Sequence, residues 1–302
     1  MRDKEMREAG PAKRILILTG GSVDEAFVKD YLAREHFDHT IVVDGALAYW
    51  DRWADCLTFD HLVGDFDTIS REILAKYLDK PGVCVHRFIP EKDNTDTDIA
   101  IKLAMRLLGA GEAAELRGEI RTPGTPDRDP MEGETSGTVA GTTRTMPGQA
   151  EGSGRGASVT ADISASTCAG ADTDTGDGAA GRRQIVLIGA TGSRLDHMLA
   201  NLQLLEQLRG SGIEGIILDA HNRVRLLEGG IAIPKTEQFG DFISLIPVTD
   251  LLEDVTLTGF KYPLSHGTVA IGTSLCVSNE ITADAGEISI GRGRAWLIES
   301  RD

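Results

Sequence analysis

Ile185-Val186-Leu187-Ile188-Gly189-Ala190-Thr191-Gly192-Ser193-Arg194-Leu195-Asp196-His197 passes from four β-favouring apolar residues, through two glycines, into a helical pattern that continues to Leu208. Strand, glycine turn and helix in that order form one αβ repeat, and the residues on either side repeat it. Upstream, Arg14–Leu18 is a β-rich run turned by Gly20-Gly21 into a helix over Ala26–Leu32. Strands follow at Thr40–Val43 and His61–Val63, a helix at Ile69–Leu78, a strand at Val83–Phe88 and a helix ending at Leu103–Leu108. Downstream, Gly215–Asp219 is a further strand. Alternating strands and helices predict a mostly parallel, Rossmann-like sheet covered on both faces, with ligands beyond the carboxyl ends of the strands.

Between the last upstream helix and Gln184 the composition changes. Residues 111–183 are rich in Gly, Ala, Thr, Ser, Asp and Glu and contain no Phe, Trp or Tyr. Such a stretch buries too little apolar surface to offset the entropy of ordering it, so a disordered insertion in a surface loop is expected. From about Asn222 the period becomes two, with short runs at Val224–Leu227, Ile231–Ile233, Phe242–Pro247, Val255–Phe260, Gly267–Ile271, Leu275–Ile281, Glu287–Ile290 and Arg294–Ile298. Gly, Pro, Asp and Asn turns separate them, which predicts an all-β C-terminal domain, a sandwich or small barrel. The expected organisation is a charged tail over 1–13, an α/β domain over 14–110 and 184–221, the insertion over 111–183, and the β domain over 222–302.

Composition narrows the function classes. The 302 residues carry a formal charge of −16, with no basic stripe to replace phosphate counterions, so a nucleic-acid partner is not expected. The same charge repels polyphosphates unless a divalent cation belongs to the site. The longest apolar runs are strand-sized, so no membrane span is expected, and the charged N-terminus lacks the apolar centre of a secretory signal. A cytoplasmic location follows as the expectation. Cys56, Cys84, Cys168 and Cys276 are scattered without a CxxC pair, which argues against a zinc site and a disulfide framework.

Three stretches carry candidate chemistry. Gly64-Asp65-Phe66-Asp67 follows a strand, and residues two apart in extended chain point to one side. Two carboxylates about 4 Å apart repel by roughly 4 kcal/mol at an effective dielectric near 20, unless a cation lies between them. Asp65 and Asp67 therefore read as a Mg²⁺ site, the alternative being a turn of solvated acids. Lys92-Asp93-Asn94-Thr95-Asp96-Thr97-Asp98 precedes a helix, with Thr95 placed to cap it onto Asp98. Asp98 stands where a calcium loop needs Gly, and no Glu occupies its twelfth position, so calcium is discounted. In the opening stretch, the glycines permit close backbone approach and the helix start offers free N–H groups to an anion. It is neither a P-loop nor a dinucleotide fingerprint. Arg194, His197 and Asn201 are expected on its polar stripe, with Leu195, Leu199 and Leu202 buried.

Asp44-Gly45-Ala46, Gly64-Asp65-Phe66-Asp67-Thr68, Lys92-Asp93-x-Thr95-Asp96, Gly189-x-x-Gly192-x-Arg194-x-Asp196-His197 and Ser278-Asn279 occur in an order that resembles the thiamine pyrophosphokinase family. The resemblance implies an α/β nucleotide-binding domain, a β-sandwich domain and a homodimer with active sites between subunits. It implies that ATP and Mg²⁺ are used to place a diphosphate on the hydroxyl of thiamine, releasing AMP. By this likeness Asp65, Asp67 and Asp96 hold Mg²⁺, and Asp44 lies near the diphosphate and the hydroxyl. Lys92, Asp93, Thr95, Thr191, Ser193, Arg194, Asp196 and His197 belong to the ATP site. Ser278 and Asn279 face the ligand, and Tyr262 stands where family members often have a Trp that packs on thiamine. Two alternatives stay open: a same-fold diphosphokinase acting on a pterin or other heterocyclic alcohol, and a non-catalytic regulator that binds thiamine or a nucleotide.

Overall fold

Even and odd residues of the first strand, β1 (Arg14–Leu18), enter different cores. Ile15 and Ile17 join Ile41, Val63, Ile185 and Leu187 on one face, while Leu16 and Leu18 join Val42, Leu62, Val186 and Ile188 on the other. Strands buried on both faces need continuous apolar runs, and this sequence supplies them. The computed structural model describes residues 14–53, 58–88, 95–110, 119–121 and 183–302. All of them fall in one compact unit.

After β1 come α1 (Glu25–Arg34), β2 (His39–Val43), α2 (Leu47–Trp53), β3 (His61–Gly64), α3 (Arg71–Leu78), β4 (Cys84–Arg87) and α4 (Asp96–Leu107). Asp24, Ser70 and Thr95 cap α1, α3 and α4, each accepting a hydrogen bond from a backbone N–H of the first turn. β5 (Glu119–Arg121), β6 (Gln184–Ile188), α5 (Leu195–Gly210) and β7 (Glu214–Leu218) follow. The sheet order β7-β6-β1-β2-β3-β4 is parallel throughout, as the alternation predicted. α4 and α5 cover one face; α1, α2 and α3 cover the other.

The remaining strands are β8 (Asn222–Pro234), β9 (Phe242–Pro247), β10 (Leu251–Thr258), β11 (Leu264–Ala270) and β12 (Ala285–Ser300). β8 is antiparallel to β7, so the β-rich C-terminal region is hydrogen-bonded onto the parallel sheet. The first half of β12 pairs with β10 and its second half with β9, with a register break between Ser289 and Arg294. That break and Gly229, held at φ +80°, bend two long strands where the sequence suggested four short ones. Leu245, Leu252, Val255, Val269, Ile288 and Leu297 fill the core between the bent halves.

Three further sequence expectations change. Leu275–Ile281 is not a strand; Cys276 and Ser278 take positive φ, and only the isolated bridges of Asn279 and Ile281 remain. α2 was not foreseen, being seven residues long and too short for a clear period, although it buries Leu47, Trp50 and Trp53. Within the expected disordered insertion, Glu119–Arg121 adds to β4 as an antiparallel strand; the rest of 111–182 and the tail over 1–13 lie outside the described residues. Among the described residues, no helix is long and apolar enough to cross a membrane.

Candidate active site

The chain runs from β1 to β4 in one direction across the sheet, then returns to place β6 and β7 on the other side of β1. A crevice opens where the direction reverses, beyond the carboxyl ends of β1 and β6. Here it is a cleft of about 560 Å³, lined by the turn Thr19–Gly21, the start of α4 and the loop leading into α5. The two glycine loops meet backbone to backbone. A Cβ on Gly21 would lie 2.1 Å from the carbonyl oxygen of Gly189, and one on Gly192 would lie 2.9 Å from Gly21 Cα. Only glycine permits that approach.

The helices at the two sides of the cleft begin differently. Thr95 caps α4, its Oγ1 accepting from Asp98 N at 3.2 Å. Asp98 is itself absorbed by Lys102 at 2.8 Å and Gln207 at 3.1 Å. At the start of α5 stands Arg194, which supplies no side-chain cap. The first N–H groups and the positive end of the helix dipole there are suited to an anion. Arg194 forks onto Asp196 at 3.1 and 2.6 Å, which holds the Asp196 carboxyl down at about 2 and raises the guanidinium. Both side chains are largely exposed, so a phosphate can compete for the arginine fork.

On another side of the cleft, Asp44 of the lining meets Asp65 and Asp67, which are outside the lining, with one carboxylate oxygen of each within 4.8 Å of the others. Asp44 takes φ +38° and Phe66 takes φ +63°, folding the ends of β2 and β3 together. Gly64 makes room, since a Cβ there would meet Asp44 Cβ at 2.9 Å. Thr68 Oγ1 donates to one oxygen of Asp44, while the other, Oδ1, is buried with no hydrogen-bond partner. The carboxylate of Asp65 raises the pKa of Asp67, with burial and Asp44 adding to the shift. Three acids around one uncompensated acceptor suit a hard divalent cation that keeps water and takes phosphate oxygens.

The structure thus brings Asp44 together with Asp65 and Asp67, whereas Asp96 lines the cleft without joining that cluster. Thr95, Ser193, Arg194 and His197 also line it. Thr191 does not: its Oγ1 donates to Asp219 at 2.6 Å, tying the loop to the end of β7. Lys92 and Asp93 lie outside the described residues. The expected faces of α5 are partly reversed. Leu195 is 63% exposed and Leu199 43% exposed, while Asn201 is buried, donating to Ala190 O at 2.9 Å. Residues 195–197 at the start of α5 are exposed, and its apolar contacts with the core run through Leu202, Leu205 and Leu208. Thr19, Gly20, Gly21 and Thr97 were not read as site residues; the Gly20-Gly21 turn after a strand was the available signal.

Residues 31–111 match the family model of the thiamin pyrophosphokinase catalytic domain, and residues 230–294 that of the thiamin pyrophosphokinase vitamin B1 binding domain. Both domains of the thiamin pyrophosphokinase family are present in the chain. Thiamine pyrophosphokinase of Bacillus subtilis is 35% identical over 118 residues, which span 39% of this chain and 55% of that relative. The crystal structure of a Bacillus subtilis thiamine pyrophosphokinase shares the fold, with TM-score 0.62 at 24% identity over 96% of this chain and all of that one. Yeast thiamin pyrophosphokinase shares it with TM-score 0.62 at 11% identity over 96% and 87% of the two chains.

Within the segment matching the vitamin B1 binding domain of thiamine pyrophosphokinases, Asn279 is only 4% exposed. Its Oδ1 accepts from the Tyr262 and Glu280 amides, both at 3.0 Å, and its Nδ2 donates to Tyr262 O at 2.8 Å. Asn279 therefore clasps the backbone of Tyr262, whose side chain is exposed. Ser278, at φ +56°, has its amide bonded to Ser244 Oγ at 2.9 Å. None of these three residues lines the cleft.

Proposed function

We propose that the protein is a thiamine diphosphokinase, transferring diphosphate from ATP to the hydroxyl of thiamine with Mg²⁺ and releasing AMP. The observation that carries this reading is the Asp44–Asp65–Asp67 cluster, with the orphaned Asp44 Oδ1, beside a cleft whose other wall holds Arg194 and the uncapped start of α5. Asp44, Asp65 and Asp67 would hold the cation, and Asp96 stands nearby in the cleft lining. Bound there, the cation would neutralise polyphosphate charge that an acidic chain otherwise repels.

The rest of the task falls to the chain's own groups. The glycine loops let backbone approach the nucleotide closely, and the α5 start with Arg194 holds phosphate oxygens. Ser193, Thr95 and His197 supply further polar contacts from the lining. Asp44 and Asp96, the carboxylates of the lining, are the candidate acceptors for the hydroxyl proton. In-line placement of hydroxyl and diphosphate supplies much of the rate in such transfers, with little covalent chemistry asked of the protein.

Tyr262 is the stacking face proposed for the thiazolium, with Asn279 and Ser278 fixing the segment that carries it. Their position outside the cleft favours a homodimer in which one subunit's Tyr262 segment faces the other's cleft. The match to a vitamin B1 binding domain favours thiamine over a pterin. A cytoplasmic site of action, among soluble ATP and thiamine, completes the reading.

The test is incubation of the protein with thiamine, ATP and Mg²⁺, with products separated by mass and EDTA as control. Thiamine diphosphate and AMP in equal amounts, abolished by EDTA, are the expected products. Thiamine monophosphate with ADP would overturn the diphosphate transfer. Thiamine binding without product would favour the regulator.

A further inference from the structure

At the amino ends of β2, β3 and β4, away from the cleft, a second cluster of ligating side chains has no part in this reaction. His61 opens β3 and is the Cα partner of Cys84, which opens β4. His86 follows two residues along β4 and so points to the same side as Cys84. His61 Nδ1 stands 3.1 Å from His86 Nε2, and the ligating atoms of His61, Cys84 and His86 all lie within 4.8 Å of one another. Two imidazole nitrogens on a tetrahedral zinc, each at about 2.0–2.1 Å, are separated by about 3.3 Å. The observed spacing needs only a small adjustment.

His86 is 5% exposed; Nε2 is the nitrogen that faces His61, while Nδ1, elsewhere on the ring, has no hydrogen-bond partner. Behind His61, its Nε2 lies 3.8 Å from Asp60 Oδ2. Asp60 is held in turn by the Thr40 amide at 2.8 Å and by His39 Nδ1. At 3.8 Å the His61–Asp60 approach is a contact longer than a hydrogen bond, and a small turn of the ring would close it into the carboxylate–histidine pairing that orients a metal ligand. A sulfur with two imidazoles selects zinc-class ions over Mg²⁺.

We propose that His61, Cys84 and His86 bind one zinc-class divalent ion, with Asp60 orienting His61 and water completing the tetrahedron, pinning β3 to β4 at the end of the sheet opposite the cleft. As the sulfur–metal bond forms, the Cys84 thiol gives its proton to solvent. The scattered cysteine pattern argued against zinc, because ligands 23 and 25 residues apart leave no local spacing signature and only strand pairing brings them together.

The test uses the full chain stripped with chelator and titrated with Zn²⁺ alone by calorimetry, with Co²⁺ spectra alongside. One equivalent of Zn²⁺ per chain is expected, with a thiolate-to-cobalt absorption band. Cys84→Ser, close to isosteric and expected to keep the fold, should abolish that band and weaken binding more than about tenfold. His86→Gln should weaken binding likewise if it folds, while Asp67→Asn should keep the zinc equivalent. Absence of a bound equivalent in the wild type would overturn the proposal. So would zinc binding unchanged by Cys84→Ser, or lost with Asp67→Asn, which would put the ion in the acidic cluster.

Discussion

Two groups of charges in this molecule are arranged in opposite ways. Glu299, 0% exposed near the end of β12, accepts a forked pair of bonds from Arg223 at 2.7 and 2.5 Å, another from Arg225 at 2.8 Å and the Phe239 amide at 3.1 Å. Every oxygen has a donor, and the group joins β8, β12 and the turn before β9. Asp44, Asp65 and Asp67 have no such cation among their described partners, and one oxygen is buried without a bond. A buried carboxylate surrounded by donors is a structural element, whereas carboxylates gathered without a counter-charge leave free energy for a ligand to supply. Conservative substitution should separate the two kinds of site.

The largest effect is expected at the uncompensated site. Asp67→Asn should lower turnover by at least about 100-fold, the scale of charge stabilisation that a metal site contributes. Thermal stability without Mg²⁺ should be unchanged or slightly higher. The neighbouring Asp65 raises Asp67, so the ionised form is disfavoured in the folded state, and that opposition to folding fades as pH drops through the carboxylate range. Mg²⁺ should raise the melting temperature of the wild type and leave the variant nearly unmoved. Wild-type turnover in Asp67→Asn at saturating Mg²⁺ would break the comparison.

Glu299→Gln is expected to do the reverse, costing about 3 kcal/mol in urea unfolding because two arginines lose their buried partner. Turnover of the remaining folded protein should be preserved. Burial acts to raise the pKa of Glu299, but its bonds to Arg223, with Arg225 and the Phe239 amide, outweigh it and leave the carboxyl below its ordinary 4.5. The stability it contributes is complete above that value and is lost as pH falls toward the folded-state value. The variant should therefore show a flatter acid limb, and an unchanged limb would show that the pair contributes nothing net.

Much of this was legible in sequence, for a physical reason. Strands buried on both faces leave continuous apolar runs, so β1, β6 and β7 were read to within a residue, and the acids after β3 followed from period two. What escaped was decided by tertiary context. Asp44 was placed near the diphosphate by the family resemblance alone, and its place in the acid cluster was not read: it stands 21 residues before Asp65, and the pairing of β2 with β3 makes them neighbours. The alternation of Leu275–Ile281 promised a strand, yet positive φ at Cys276 and Ser278 turns the chain into a loop that presents Asn279 inward. Its polar side chain then replaces a strand partner for Tyr262, a role no local pattern announces.

Asn279→Ala tests that role at a smaller scale. Three hydrogen bonds to the backbone of Tyr262 and Glu280 are lost, which is expected to cost about 2 kcal/mol of stability. Because Asn279 acts through Tyr262, the KM for thiamine should rise more than kcat falls, while the KM for ATP stays close to the wild-type value. An equal rise in both KM values would place Asn279 in a general structural role.

The smallest effect is expected on the outward face of α5. Leu195→Ser removes an apolar side chain that is already mostly in water, so unfolding free energy should move by no more than about 0.5 kcal/mol. Leu205→Ala, one side of the same helix but buried, should cost about 2–5 kcal/mol, since it leaves a cavity against the sheet. The contrast follows from where α5 starts. Its first turn presents N–H groups and Arg194 to the cleft, and among the described residues Leu195 joins no core cluster. A cost at Leu195 approaching that at Leu205 would mean that this face is covered in the assembled protein, and concentration-dependent unfolding of the wild type would then reveal the subunit that covers it.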